Sequence, residues 1–316
     1  MADKARYKIT NWKDYNQSLI KRGDITLWLN DEVLDHWRAA KREKRRGRPK
    51  QYSDIAVECM LTLRALFKLP LRAVEGLMIS LLKLLDCEME VPSYATLSRR
   101  QQGLQINLNQ TLIDSQEPKH VLVDSTGLKV YGEGEWKVKK HGRDRRRVWR
   151  KLHLAVDAKT HEIVAADLSE NSTADCEALP TLLLKIEGNV HKVSADGAYD
   201  TWNCRYTIHT EVEAEEAIIP PRERARKMEN TNMPEVRERN EAIDAIRRDG
   251  RKSWKEQSGY HQRSLVETAM FRVKRTFGQQ LQARTLQNQI SEAVMKSKIL
   301  NQFIQQGMPE SEKIES

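Results

Sequence analysis

No run of the chain is apolar for the ~20 residues that a membrane-spanning helix requires, and the polar start MADKARYKIT lacks the apolar centre of a secretory signal. A protein of the cytoplasm with no membrane partner is therefore expected. Cysteine is scarce: Cys59, Cys87, Cys176 and Cys204 stand far apart, with no C-x-x-C pair, and no H-E-x-x-H occurs. This spacing argues against the common zinc motifs and against a disulfide framework, and it leaves ordinary reduced thiols. No internal repeat is visible. What the 316 residues hold in excess is positive charge, +9 in all with a pI near 9.3. Such a balance points to a polyanionic partner, nucleic acid first among them.

The character of the chain changes along its length. Residues 1–37, containing NWKDYNQSLIKRGDITLWL, mix aromatics with charge and predict a short ordered element. Residues 38–50, RAAKREKRRGRPK, carry eight Lys or Arg against one Glu. They predict a basic linker or arm in which Gly47 and Pro49 prevent helix. From 51 to 106 the pattern is helical. Ser53 or Asp54 can cap a helix bearing Ile55, Val57, Met60, Leu61, Leu63 and Leu66, Pro70 opens a second, and Pro92 opens a third that ends in Arg99 and Arg100. Three short helices suit a helix-turn-helix-like DNA-binding unit, or equally a plain bundle with a basic face.

From 107 to 316 short apolar runs appear: HVLVDS, RKLHLAVDA and HEIVAADLS, then a helical stretch over 174–187, HKVSAD, another helix from about 200, and EAIIP. This order predicts an α/β domain around a mixed sheet. Residues 220–253 read as a charged insertion, either an exposed helical arm or a flexible loop.

Two carboxylates stand out. Asp124 follows Val121, Leu122 and Val123, and Asp196 follows Val193, Ser194 and Ala195; each is soon followed by a glycine, Gly127 or Gly197, that allows close backbone approach. Either aspartate alone is most simply the start of a turn. On neighbouring strands the two would lie side by side and need a cation to stay ionised. A third acid, Glu267, sits in the basic stretch YHQRSLVETAMFRVK. At about 100° per residue, Tyr260, Arg263, Glu267 and Lys274 share one narrow arc of a helix, opposite Leu265, Val266, Ala269, Val273 and Phe277. Without the aspartates, Arg263 and Glu267 would be an ordinary solvated i,i+4 pair.

The four residues Tyr260, Arg263, Glu267 and Lys274 match at every position the Y-(2)-R-(3)-E-(6)-K signature of bacterial insertion-sequence DDE transposases. DSTGLKV and SADGAYD resemble the motifs around that family's first two aspartates, and KITNWKDYNQSLIKRGDITLWL with GRPKQYSD resembles the IS5 family, in particular its IS903-like group. The resemblance spans nearly the whole chain. It implies an RNase H-like catalytic domain in which Asp124, Asp196 and Glu267 hold two divalent cations, Mg²⁺ or Mn²⁺, because hard oxygen ligands suit those ions. It also implies that Arg263 and Lys274 hold backbone phosphates. The expected partners are double-stranded DNA, as terminal inverted repeats and as target, and further copies of the chain, since both ends must be held at once. An RNase H-like nuclease without strand transfer and a domesticated DNA-binding regulator are the rivals.

Other basic segments extend the expected DNA surface. WKVKKHGRDRRRVWRK, residues 136–151, carries nine Lys or Arg, among them Lys139, Lys140, Arg145, Arg146 and Arg147, between the first two strands of the sheet. Trp136 or Trp149 could stack on a base or tuck into the core. Trp202, just past the second aspartate, is a similar case, with the core the simpler reading. In RRGRPK, Arg46 and Arg48 frame an R-G-R-P core like that of AT-hook peptides, suited to a narrow A·T-rich minor groove, although a phosphate-tracking linker explains it as well.

Overall fold

The computed structural model describes residues 6–40, 49–108, 117–130, 149–229 and 231–314. They form two compact units, Met1–Gln105 with Ile299–Ser316, and Ile106–Lys298. The C-terminal segment, which the sequence placed with the catalytic domain, thus joins the N-terminal unit.

In that first unit β1 (Arg6–Ile9) pairs antiparallel with the strand Ser311–Ile314. α1 (Trp12–Lys21) and α2 (Asp31–Asp35) follow. The predicted three helices are present as α3 (Asp54–Phe67), α4 (Leu71–Leu84) and α5 (Tyr94–Gln101). Ser53 caps α3 by accepting from the Ala56 amide, and Ser93 caps α5 by accepting from Thr96. The three helices pack through Val57, Met60, Leu63, Val74, Met78 and Leu97, all without exposed surface.

The expected linker at 38–50 is held at both ends. Arg38 and Tyr52 form an antiparallel bridge, the Ala39 amide donates to the Gln51 carbonyl, and the Ser53 amide donates to the Trp37 carbonyl. Residues 1–37 and 51–106 are therefore parts of one unit. Arg46 and Arg48 lie outside the described residues.

The second unit is built on a mixed sheet. β2 (Lys119–Val130) pairs antiparallel with β3 (Trp149–Asp157), which pairs antiparallel with β4 (Ile163–Glu170). After α6 (Asp175–Leu183), β5 (Val190–Ser194) returns parallel to the other side of β2. The short α7 (Trp202–Tyr206) leads to β6 (Glu216–Ile218), parallel to β5. The strand order is β4-β3-β2-β5-β6. The alternation of side chains along β2 sorts the sheet's two faces. Val121 and Val123 join Leu179, Leu182, Val193 and Ile208 in a core on the α6 face.

Residues of the supposed insertion form α8 (Pro234–Gln257), kinked at Gly250, whose φ of 84° an L side chain rarely adopts. α8 is packed, with Val236, Arg239, Asn240, Ala242 and Ile243 buried, so it is neither an exposed arm nor a flexible loop. A 3₁₀ turn over Tyr260–Arg263 precedes α9 (Ser264–Phe277), which lies on β2 and β3 and buries Val266, Met270, Val273 and Phe277. A short β7 (Gln280–Leu281) extends the sheet beside the end of β2.

Candidate active site

β2 does not end at its first aspartate, as the apolar run had suggested. It continues to Val130 because β3 pairs with it throughout, Asp124 standing opposite Leu154. What ends near Asp124 is the other neighbour. β5 matches Val121 with Val193 and Leu122 with Ser194, then stops. Two steps further along this register stands Asp196, whose backbone is still extended at φ −80° and ψ 177°. Asp124, midway along β2, thus stands beside Asp196, just past the end of the parallel β5.

Local bonds hold each carboxylate. Asp124 accepts from the Ser125 amide at 2.8 Å, and Asp196 accepts from the Ala198 amide at 2.8 Å, capping the 3₁₀ turn Gly197–Tyr199. Both glycines are close approaches. A Cβ on Gly127 would stand 3.2 Å from the Trp149 ring, and one on Gly197 would stand 3.2 Å from the Pro220 carbonyl. Trp149 is therefore placed against the backbone of β2.

The third carboxylate reaches the pair through Arg263. Its guanidinium donates to Asp124 Oδ2 at 2.7 Å and to Glu267 Oε1 at 2.5 Å. Tyr260 packs beside it, with the Arg263 carbon 5.7 Å from the ring centre. Tyr260 and Arg263 belong to the 3₁₀ turn ahead of α9, so the four signature residues do not share a continuous α-helix. The shorter turn still delivers Arg263 to the carboxylates. Lys274 donates to Thr126 Oγ1 at 2.5 Å, on the same face of β2 as Asp124.

The charges are strained in opposite senses. Burial, and Asp196 close by, push the Asp124 carboxyl up despite the Ser125 amide and Arg263. Burial works against the Arg263 charge too, but Tyr260, Asp124 and Glu267 outweigh it and hold the guanidinium protonated. Lys274 is lowered by burial. Tyr199, whose hydroxyl has no hydrogen-bond partner among the described residues, is raised by burial and then by Asp175, Asp124 and Asp196. An acidic site of this kind calls for positive charge, and Arg263 supplies one.

The donor set fits a hard divalent cation, being carboxylate oxygens alone. Among the described residues no three acidic, imidazole or thiol groups close into one metal-holding cluster, and the guanidinium of Arg263 stands between Asp124 and Glu267.

The remaining expected DNA contacts divide. Arg99 lies exposed in the last turn of α5, whereas Arg100 donates to the Tyr52 carbonyl at 2.9 Å and is paired with Asp54. Arg100 is thus engaged within its own unit. Lys139, Lys140, Arg145, Arg146 and Arg147, with Trp136, lie outside the described residues. Trp202 is about half exposed and stacks on Tyr206 with ring centres 4.9 Å apart, so it is not a core residue.

Sequence reasoning passed over a second charged assembly next to the site. Asp200, four residues after Asp196, is fully buried between Arg239 of α8 and Arg205 of α7. The signal was present in the residues, where Asp200 closes SADGAYD and Arg205 follows five positions on.

No helix among the described residues is long and apolar enough to cross a membrane. Two family models match the chain, and both are described as a transposase DDE domain. One matches residues 20–133, across the helical unit and Asp124, and the other residues 115–302, across Asp124, Asp196 and Glu267.

Proposed function

The chain belongs to the DDE transposases, metal-dependent enzymes that cleave and join DNA, and from that premise we propose that it mobilises an insertion sequence of the IS5 family, in the IS903-like group. It binds the terminal inverted repeats, cleaves the ends, and joins their 3′-hydroxyls to target DNA in the bacterial cytoplasm, on the nucleoid. The observation that carries this reading is that Asp124 on β2 stands beside Asp196, just past the end of the parallel β5, with Glu267 tied to Asp124 through one arginine.

Asp124, Asp196 and Glu267 would hold two ions, Mg²⁺ or Mn²⁺. Bound there, such ions would activate the attacking water or 3′-hydroxyl and stabilise the leaving oxygen. The protein's own groups do the rest. Asp196 is oriented by the Ala198 amide and Asp124 by the Ser125 amide. Arg263 neutralises Asp124 and Glu267 while no other cation does. A phosphate arriving beside it competes for the same guanidinium, a bidentate match for either anion. Lys274, on the same face, adds a second cation to hold the strand next to the scissile bond.

End recognition falls to the helical unit, with Arg99 at its exposed helix end and the basic arm carrying Arg46 and Arg48 as contacts. Lys139, Lys140, Arg145, Arg146 and Arg147 extend the backbone contact. Two ends held together require two copies of the chain, hence a homodimer or larger assembly.

The test uses the full chain with a plasmid carrying the DNA that flanks its gene, in Mg²⁺ or Mn²⁺. Wild type should nick and join the ends. Cleavage without joining of pre-cut ends to a target would leave only a nuclease. Sequence-specific binding without cleavage would leave only a regulator.

A further inference from the structure

Asp200 has no exposed side-chain surface and accepts a two-pronged bond from Arg239, Nε to Oδ1 at 2.9 Å and Nη2 to Oδ2 at 3.0 Å. Arg205 adds a bond from Nε to Oδ1 at 3.3 Å, and the Arg222 amide one to Oδ2 at 3.3 Å. The arginines are satisfied in turn. Arg205 donates to the Ile219 carbonyl at 2.8 Å, and Arg239 to the Arg226 carbonyl at 2.9 Å. A buried acid shared by two arginines is costly to assemble and gives little net stability, but its geometry is narrowly defined.

What it connects gives it a use. On one side Asp200 closes the loop that begins at Asp196, through the single 3₁₀ turn Gly197–Tyr199. On the other, Arg239 belongs to α8, which leads directly into the turn bearing Tyr260 and Arg263. The far end of α8 is seated on that turn, the Trp254 and Tyr260 rings lying 6.1 Å apart over Ile218 and Ala242. The fork therefore spans from the second aspartate to the element that delivers Arg263 and Glu267.

We propose that Asp200 and Arg239 are positioning residues for the reaction: their buried fork sets where the Asp196 carboxylate stands relative to Glu267. The proposal rests on the reading of Asp196 and Glu267 as metal ligands. Neither Asp200 nor Arg239 touches the reacting atoms, and they act through the loop and through α8. The charged stretch 220–253 is then a strut of the catalytic unit.

The experiment measures Mn²⁺ binding to the full-length protein by the loss of the free-ion EPR signal, alongside Mn²⁺-dependent nicking of the flanking-DNA plasmid and thermal melting. Arg239→Gln should fold with a lower melting temperature, raise the half-saturating Mn²⁺ concentration by about tenfold or more, and slow nicking, with partial recovery at high Mn²⁺. Arg239→Lys, which keeps the charge and loses the fork, should fall between it and wild type. Lys227→Gln, which removes the surface pair with Asp244 in the same stretch, should leave all three measurements unchanged. A lower melting temperature with unchanged half-saturating Mn²⁺ in Arg239→Gln would make the fork purely structural and overturn the proposal. Should the glutamine variant fail to fold, Arg239→Lys decides on the same measurement. Asp196→Asn separates the two readings: unchanged Mn²⁺ binding there would remove Asp196 as a ligand, whatever the fork does.

Discussion

Two arginines in the catalytic unit are paired with carboxylates, Arg239 with one and Arg263 with two, and in different surroundings. Arg239, with Arg205, grips an Asp200 that solvent does not reach. Arg263 grips Asp124 and a Glu267 whose side chain is 55% exposed. The first set cannot be loosened without leaving a buried charge unpaired. The second has water on its Glu267 side, where the bond to Arg263 can be exchanged for an incoming cation or phosphate at small cost. One ionic assembly thus reads as framework and the other as a site kept ready for a ligand.

The sharpest way to break this comparison is at the exchangeable site. Asp124→Asn, Asp196→Asn or Glu267→Gln should each lower end cleavage and joining by at least about a thousandfold, since the charge that holds the metal disappears. Binding to the flanking DNA in a gel-shift assay should stay near wild type. Robust joining by any of the three would remove that residue from the site.

The framework should fail in the opposite way, through stability. Asp200→Ala leaves Arg239 and Arg205 without their acid and should cost about 3–5 kcal/mol, seen as a melting transition roughly 10 °C lower for a unit of this size. Glu267→Gln in metal-free buffer should shift stability by no more than about 1 kcal/mol. Equal losses from the two would erase the distinction.

A smaller effect lies in pH. His120, His153 and His161 are all held below the usual imidazole range, chiefly by burial. A histidine lowered by folding binds its proton more readily when unfolded. Its contribution is therefore fully present above about pH 6.5 and is lost as pH falls from there through the folded values. Asp124 has the other sign: its carboxyl is raised, so protonation in acid relieves it. Melting from pH 7.5 to 5 should show a net decline, set by the histidines. A flat or rising profile would mean that the carboxylate site dominates.

Smallest of all should be Arg263→Lys in the absence of DNA. The charge remains near Asp124, so melting should change little, while DNA cleavage falls because an ammonium cannot fork between two anions. A cleavage rate equal to wild type would show that a point charge suffices there.

Much of this was legible in the residues. The apolar triplets before Asp124 and Asp196 predicted two strands, and the pairing register then set the aspartates side by side. Ser53 and the prolines at 70 and 92 marked helix starts that the structure places within a residue or two. Less legible was α8. Its Glu and Arg residues look solvated in any local window, and their partners, Asp200 and the Arg226 carbonyl for Arg239 and the Ala217 amide for Glu238, come from elsewhere in the chain. The apolar residues Val236, Ala242 and Ile243 were the one local hint that it packs.

By itself the sequence determined which side chains could do chemistry and which segments would form strands or capped helices, because alternation, periodicity and capping act over a few residues. Only the tertiary structure decided which charges meet. Arg263 and Asp124 are 139 positions apart, and Arg239 and Asp200 are 39 apart. Whether each pair is exposed or buried depends on elements that neither residue's neighbours encode, and the energy of a charge is set by that burial far more than by its identity.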